Sequence, residues 1–222
     1  MYVPRAYRAD DRVELLAFVR QHNFGVIVSA HEGRLVGTHV PFVVREQEDR
    51  VWLYAHVARA NPQWTTLAGA EVLVIFAGPH GYVSPSAYEK RASVPTWNYV
   101  AVHASGTASI LQDAARLEDL LARLIAAHEP AYQHQWNDLP QDYRDGMLRG
   151  IVGLEIEVTR LEGQYKLSQN RSPQERERVA ANLEASGDPL AIETAQLMRE
   201  REARVTEPAA PSLFRESRPP RA

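Results

Sequence analysis

The chain has 222 residues, a formal net charge of −3, 45% hydrophobic residues and 24% charged residues. This composition is typical of a globular protein, and the charge gives no general attraction to nucleic acid or to an anionic membrane. Because there is no cysteine, disulfide bonds, thiolate metal sites and cysteine nucleophiles are excluded. The start of the chain does not resemble a signal peptide, and no apolar run approaches the about 20 residues that span a membrane. We therefore expect a soluble, cytoplasmic protein.

The first part of the chain predicts a helix followed by antiparallel strands. Asp11 and Glu14 have capping-box spacing ahead of an apolar helical repeat. Three apolar, β-branched runs follow, at 24–30, 34–44 and 50–57. The turns that separate these runs are too short for a parallel crossover, so an antiparallel meander is expected.

The middle of the chain predicts two further strands. Asn61, followed by proline, opens a short helix over 60–69, and 71–76 is an apolar run typical of a buried strand. Residues 78–97 are rich in proline, glycine and aromatic residues, so we predict a long, ordered loop there. Residues 98–111 are predicted to form the next strand.

Helices are expected to interrupt the sheet in the second half. An apolar repeat over 113–128 predicts an amphipathic helix, a shorter helix follows Pro140, and alternation over 151–163 predicts a strand. The total is six or seven antiparallel strands with inserted helices. The predicted fold class is therefore mainly β with peripheral helices (α+β), a small antiparallel barrel or curled sheet.

The sequence changes character near its end. Ser172 and Glu175 form a capping box around an N1 proline, and Gly187 separates this helix from a second one. After Arg204 the chain is rich in proline, and we expect it to be disordered. The predicted organisation is a barrel domain at 1–171 with inserted helices, a helical pair packed on it at 172–204, and a disordered tail at 205–222.

Several common sites are absent from the sequence. There is no Rossmann GxGxxG after a strand, no P-loop, no GxSxG elbow and no HExxH. A metal site built from the distant His39, His56 and His80 stays open as a minor alternative. No catalytic residue is predicted.

Two short segments suggest anion or ligand binding. Residues 56–64 place Arg59 and Asn61 where a strand gives way to a helix, which suits an anion; a surface arginine and a simple cap are the alternative. Thr38 and His39 lie on neighbouring faces of a strand, where proline at 41 could also mark only a kinked edge strand.

Two later segments could contact a flat ligand. Trp97 and Asn98 open a strand and offer an aromatic wall and a hydrogen-bonding edge, although core packing explains them equally well. Lys166, Gln169 and Arg171 follow a strand and could bind an anion or a ring edge, or could form a surface turn.

These segments together resemble the PaiB family, described as FMN-binding negative transcriptional regulators, within the FMN-binding split-barrel superfamily. The resemblance is carried by MYVP, THVP, HVARANPQW, GPHGYVSPS, VPTWNYVAVHASG, RGIVGLEIE and LEGQYKLSQNR. They occur in family order over about residues 1–204.

The resemblance implies a split β-barrel homodimer with FMN in a cleft between the two subunits. By matching position, the cofactor-binding candidates are Thr38, His39, His56, Arg59, Asn61, Trp97, Asn98, Lys166, Gln169 and Arg171. Of these, His56, Arg59 and Asn61 are expected at the phosphate.

The remaining candidates are assigned to the ring and its surroundings. Thr38 and His39 are expected near the flavin ring, with Trp97 and Asn98 beside the cleft. The segment 166–171 would close the site from the partner chain.

Two functions remain open. A regulator that reads DNA needs excess positive charge, but residues 172–204 contain five arginines against seven acids, a net charge of −2, so this helical pair is a poor DNA reader. A flavin-dependent oxidoreductase is the alternative, in which the flavin carries the electron chemistry. A haem or another flavin is a third possibility. Arg59, Ala60 and Asn61 stand where Ser, Arg and Lys are common in the superfamily, so this sequence has fewer cationic groups to bind the FMN phosphate.

Overall fold

The structure, a computed structural model, describes residues 1–206, with side chains up to residue 203. The predicted disordered tail at 205–222 lies almost entirely outside these residues. The strands are β1 (Arg8–Ala9), β2 (Phe24–His31), β3 (Arg34–Pro41), β4 (Val43–Gln47), β5 (Arg50–Ala58), β6 (Glu71–Val83), β7 (Thr96–Leu111) and β8 (Ile151–Lys166). The helices are α1 (Arg12–Gln21), α2 (Ala114–His128), α3 (Tyr132–Asp138), α4 (Gln141–Arg149), α5 (Pro173–Glu184) and α6 (Pro189–Thr206).

The strands form one antiparallel sheet that curls on itself. Its order is β3-β2-β6-β7-β8-β5-β4, and β1 pairs with β8 beside this path. The edge strands β3 and β4 are separated in sequence only by Phe42. Two residues of chain span at most about 7 Å, so the two edges of the sheet must approach each other there. The result is an open barrel, in agreement with the predicted mainly-β class.

Two tight hairpins explain the local strand pairing. Glu32 and Gly33, between β2 and β3, both have positive φ angles, of 50° and 75°, which is the backbone that a two-residue hairpin turn needs. Glu48, between β4 and β5, has a φ of 55°. Both predicted antiparallel hairpins are therefore confirmed.

The single strand predicted at 34–44 is wrong near its end. The strand breaks at Phe42, whose side chain is 1% exposed and packs edge-on against Phe76 with 5.5 Å between ring centroids. Because Phe42 turns into the core, β3 and β4 leave it toward opposite edges of the sheet. They do not continue one meander.

The predicted loop at 78–97 is also too long. Strand β6 continues to Val83, passing Pro79 at a register shift in its pairing with β7. A proline lacks the N–H that a regular ladder needs, and a bulge removes that need. Only 84–95 remains as a loop, and it includes a short 3-10 helix.

Other predicted bounds are corrected in detail. The helix predicted at 60–69 is a 3-10 helix, Pro62–Thr66, and β8 runs on to Lys166. Helix α3 was not predicted. None of its residues is buried, so its sequence carries no apolar repeat that would indicate a helix. The Asp11 N-cap and the Ser172–Glu175 capping box are confirmed.

The inside of the barrel holds the main core, which the helical pair α5–α6 shares. Its largest fully buried side chains include Phe42, Phe76, Ile27, Leu53, Leu154 and Ile156. Val179, Leu183 and Ala195 of α5 and α6 belong to the same cluster. A second, smaller cluster joins α2 and α4 to the outside of the sheet through Tyr54, Leu111, Leu117, Leu120, Leu124 and Leu148.

Among the helices of residues 1–206, none combines the length and the apolarity needed to cross a membrane.

Gly106→Ala is expected to destabilise the protein by about 2–4 kcal/mol. A Cβ at this position would overlap the backbone carbonyl of Glu157, at a register shift between β7 and β8, and a backbone oxygen cannot move aside as a flexible side chain can. The free energy of urea unfolding measures the effect.

Gly146→Ala on α4 is the matched control, because its Cβ would meet only the Arg149 side chain at 3.8 Å. Alanine there should stabilise the helix by about 0.5–1 kcal/mol. Equal changes in the two variants would contradict the assigned close packing at Gly106.

Candidate functional site

Part of the outer surface of the sheet is apolar and partly exposed. Along β2, β3 and β6, the residues that point away from the barrel core alternate with buried ones. We call this surface the outer face; it comprises Phe24, Val26, Val28, Leu35, His39, Leu73 and Ile75. Leu35 is 81% exposed. Contiguous apolar surface of this kind typically marks an interaction site.

Strand pairing extends the outer face to β7 and β8. His39 lies opposite Val26, and Val26 lies opposite Ile75. The same row continues to His103 on β7 and Glu162 on β8. Of the predicted residues, His39 is therefore on this face, where its ring stacks on Phe24 with 6.1 Å between centroids.

Aromatic side chains occupy one end of β6 and β7. Trp97 is 51% exposed and meets Tyr82 edge-on at 6.1 Å and His80 at 5.9 Å. Lys166, opposite Tyr99 in the next strand, donates a hydrogen bond to the Thr96 hydroxyl. Burial lowers the pKa of the Lys166 ammonium. This end of the sheet offers an aromatic wall beside one cation.

Thr38 and Asn61 are brought together, in a network that also closes one end of the barrel. The Asn61 amide donates to the Thr38 hydroxyl at 3.0 Å, and this hydroxyl donates to the side-chain oxygen of Gln63 at 2.5 Å. Gln63, 1% exposed, donates in turn to the Ser29 hydroxyl at 3.0 Å and to the Val36 carbonyl at 3.1 Å. Sequence reasoning missed Gln63, because a single glutamine after a cap carries no pattern of its own.

Arg59 extends away from Asn61, toward the junction of α4 and β8. Its guanidinium donates to the carbonyl oxygens of Arg149 at 2.7 Å and Ile151 at 2.9 Å, and to the side chain of Gln112 at 3.4 Å. A guanidinium has five N–H groups, so these bonds leave two available to a ligand. The side chain is fixed in position and still able to bind an anion.

His56 lies on the same side of the sheet as α2. It is opposite Gly153, where a Cβ would touch Leu117 of α2. Its Nδ1 atom is buried and has no hydrogen-bond partner within the described residues. Burial lowers the pKa of the imidazole, so the neutral form is favoured.

Asn98 is fully buried, as part of the link between the barrel and the helical pair. Its amide donates to the Ser168 hydroxyl at 3.0 Å and contacts the Met198 sulfur at 3.3 Å. The side chain is therefore engaged in packing, which is the alternative that the sequence left open.

Gln169 and Arg171 fix the segment after β8. The Gln169 side chain accepts a hydrogen bond from the Leu167 N–H at 2.7 Å. The Arg171 guanidinium lies 3.7 Å from the centre of the Tyr88 ring, a cation–π contact that holds the loop 84–95.

The ten candidates do not form one site within a single chain. His56 is opposite Gly153 at the start of β8, and Lys166 is the last residue of that strand. The separation is 13 residues (166 − 153), and at about 3.3 Å per residue it corresponds to roughly 40 Å of strand. The His56–Arg59 group and the Lys166–Arg171 group lie at opposite ends of the sheet.

The residues present fit the parts of FMN when the two groups are considered together. The exposed Trp97 ring and the outer face suit a flat, largely apolar ring. The two remaining N–H groups of Arg59 and the unpartnered Nδ1 of His56 suit a phosphate and its hydroxylated chain. Residues 1–206 contain no cluster of side chains suited to a metal ion.

Sequence comparison identifies the family. Residues 1–160 match the family described as "Putative FMN-binding domain", and the chain belongs to that family. It is 36% identical over 207 residues to the protease synthase and sporulation protein PAI 2 of Bacillus subtilis, covering 90% of this chain and 98% of the relative. It is 29% identical over 245 residues to the uncharacterized protein AN0679 of Emericella nidulans, covering 90% and 97%.

Comparison with solved structures identifies the fold. The flavocytochrome Anf3 from Azotobacter vinelandii superposes with a TM-score of 0.58 at 16% identity, over 74% of this chain and 72% of that chain. An FAD and heme binding protein from Mycobacterium smegmatis gives 0.55 at 18% identity, over 79% and 80%. The predicted split-barrel fold, the predicted family and FMN as the family's cofactor are confirmed.

The buried His56 predicts a loss of stability in acid. In the unfolded chain its pKa is 6.5, and in the folded chain the pKa is lower, so below pH 6.5 the unfolded state binds more protons and folding stability falls. His56→Gln should reduce this fall by up to about 1.4 kcal/mol per pH unit. Urea unfolding about one unit above and below pH 6.5 measures it.

His56→Asn, which also lacks a titrating ring, is the matched variant and should reduce the fall to the same extent as His56→Gln. His22 and His103, whose pKa values are also lowered by burial, keep part of the dependence in both variants. An identical acid response in His56→Gln and in the original protein would refute the role of His56.

Proposed function

We propose that this protein acts as an FMN-binding homodimer in which each FMN lies in a cleft between two copies, and that it serves a regulatory role of the PaiB type. The observation that carries the proposal is the separation of the two candidate groups along β8, roughly 40 Å of strand. One mononucleotide is too short to reach both groups of one chain. Two copies that pack in opposite directions would bring the Arg59 group of one to the Lys166 group of the other.

The outer face supports this assembly. It is apolar at its centre, with Val26, Val28, Leu73 and Ile75 partly exposed. Two such faces packed together would remove apolar surface from water, at about 25 cal/mol per Å². The polar candidates Lys166 and His39 would then border the buried area.

Within such a cleft the residues would bind and orient the cofactor. Arg59 and Asn61 of one copy would hold the phosphate end. Trp97 of the second copy, which lies at the Lys166 end of the sheet, would form a wall for the ring. Lys166 and Arg171 of the second copy would add positive charge at the open edge. Bound FMN would supply the electron chemistry, because no described side chain provides it.

The regulatory role is supported by the relative named for protease synthesis and sporulation. Direct reading of DNA by the helical pair is not favoured, because its arginines already face acids. Arg176 pairs with Glu202 at 2.7 Å, and Arg199 pairs with Glu177 at 2.5 Å. Phosphate contacts need available cations, so we propose regulation through the flavin or through a partner protein.

The absorption spectrum of the purified protein, before and after addition of FMN, is the direct test of cofactor binding. Flavin bands that survive gel filtration are expected. A colourless protein that ignores FMN would contradict the proposal. Bleaching by a nicotinamide nucleotide, with recovery in air, would instead favour the oxidoreductase alternative.

Mixing two variants tests the shared cleft. Arg59→Gln and Lys166→Gln should each weaken FMN binding, because each removes one charged hydrogen bond, of about 1.5–3 kcal/mol, from every site. A mixed dimer of the two would contain one doubly altered site and one intact site. FMN titration of the mixture, after unfolding and refolding together, should show high-affinity binding restored in part.

A matched mixture of each variant with itself is the control, and it should show no restored sites. If both groups acted within one chain, every site in the mixed dimer would carry one substitution. Absence of restored sites in a mixture that forms mixed dimers would therefore overturn the shared cleft.

A further inference from the structure

A cavity of about 450 Å³ lies between the last residues of β6 and the turn that joins α5 to α6. We call it the Trp97 cavity; Tyr82 and Trp97 form its aromatic side, and Leu183 and Ala191 add buried apolar surface. At about 30 Å³ per water molecule, it has room for roughly fifteen waters, so a small organic molecule would fit. Of the ten cofactor candidates, only Trp97 lines it.

The two aromatic rings of the cavity form a corner. Their planes are inclined at 75° with 6.1 Å between centroids, and Tyr82 and Trp97 are 53% and 51% exposed. The face of an aromatic ring carries partial negative charge and attracts a cation within about 6 Å of its centre, most strongly for tryptophan. A cation that enters the corner can contact both rings at once.

The charge of the Trp97 cavity is negative. Among the described residues, Asp188 is the one charged side chain of the lining, and no lysine, arginine or histidine lines it. This carboxylate accepts a backbone hydrogen bond and pairs with no cation in that part of the chain. By contrast, Glu177 and Glu184 of the same helical pair both face Arg199. An uncompensated carboxylate beside two exposed rings favours a cationic ligand.

Neutral hydrogen-bonding groups complete the lining. The Ser84 hydroxyl oxygen accepts from the N–H and from the hydroxyl of Ser86, at 3.2 Å and 2.9 Å. Because both of these bonds are accepted, the hydrogen of the Ser84 hydroxyl remains available to a ligand oxygen. The Asn182 amide lines the same cavity. The cavity therefore suits a ligand that carries an oxygen as well as a positive charge.

We propose that the Trp97 cavity binds a small organic cation, a methylated ammonium that carries a hydroxyl or carbonyl oxygen. The two rings hold the cationic group, Asp188 balances its charge, and Ser84 donates to the oxygen. The inference goes beyond the proposed function, since it requires neither FMN nor a second copy. The ring of Trp97 is also the wall proposed for the flavin, so in the FMN complex the cation would lie beside the cofactor.

Choline is the probe, and its neutral analogue, in which a tert-butyl group replaces the trimethylammonium group, is the matched control. The methyl proton signal of choline should move upfield on binding to the full chain, because these protons enter the shielded region above the rings. The neutral analogue should bind roughly five- to twentyfold more weakly, since it lacks the attraction to the rings and to the carboxylate. Proton NMR titration of each probe gives both dissociation constants.

Asp188→Asn tests the contribution of the charge. Asparagine can keep the hydrogen bond from the Leu190 N–H at the start of α6, so the substitution removes only the charge. Choline binding should weaken by about two- to fivefold, and binding of the neutral analogue should be unchanged. Asp113→Asn is the matched control, because Asp113 caps α2 in the same way and does not line the cavity.

Tyr82→Leu tests the contribution of the ring. It should weaken choline binding by about two- to fivefold and reduce the upfield shift, whereas Tyr82→Phe keeps the ring and should retain both. Tyr143→Leu is the matched control, because Tyr143 is 52% exposed and does not line the cavity. Circular dichroism verifies that each variant is folded.

The outcomes separate this inference from the proposed function. A protein that binds choline but not FMN would remove the proposed function and leave the inference standing. Absence of an upfield shift, or choline binding that is unchanged in Asp188→Asn or in Tyr82→Leu, would overturn the inference alone. Equal binding of choline and its neutral analogue would assign the cavity to an uncharged ligand and also overturn it.

Discussion

The one-residue connection at Phe42 constrains the whole molecule. Because β3 and β4 stand at opposite edges of the sheet and are joined only by this buried residue, the sheet must curl until its edges meet. The curl separates an enclosed inside from an outside. Helices α1, α5 and α6 then close the inside, while α2 and α4 cover one end of the outside. The apolar outer face is what this arrangement leaves uncovered.

The parts of the fold that were predicted correctly are those determined by residues close together in the sequence. The hairpin at Glu32 and Gly33, the capping box at Ser172 and the apolar stripe of α2 are each encoded within a few residues. The break at Phe42 was not predictable, because the apolar alternation continues through it and only the core on the far side of the chain requires the turn. The loop predicted from residue 78 was wrong for a related reason. A proline such as Pro79 is tolerated within a strand only where the partner strand accommodates a bulge, and the local sequence does not show this.

The candidate site shows the same division. The resemblance located segments that the family shares, but the direction of each side chain depends on distant elements. Arg59 extends to carbonyl groups 90 and 92 residues away, and Asn98 is buried against a serine 70 residues away. Thr38 and Asn61 are held by Gln63, which carried no signal. A motif thus identifies which backbone is shared, while packing decides which side chains remain available to a ligand.

Whether a cationic side chain is already paired with an acid determines which kind of ligand the protein can bind. On the helical pair, Arg176, Arg178 and Arg199 all face acids, so their charge is already compensated. Arg59 is bound by neutral carbonyl oxygens, which fix its position without compensating its charge. Lys166 is held by a neutral hydroxyl, and burial lowers the pKa of its ammonium group. An anion is therefore attracted to the two ends of the barrel and not to the helical pair, which favours a phosphate-bearing cofactor over a DNA backbone.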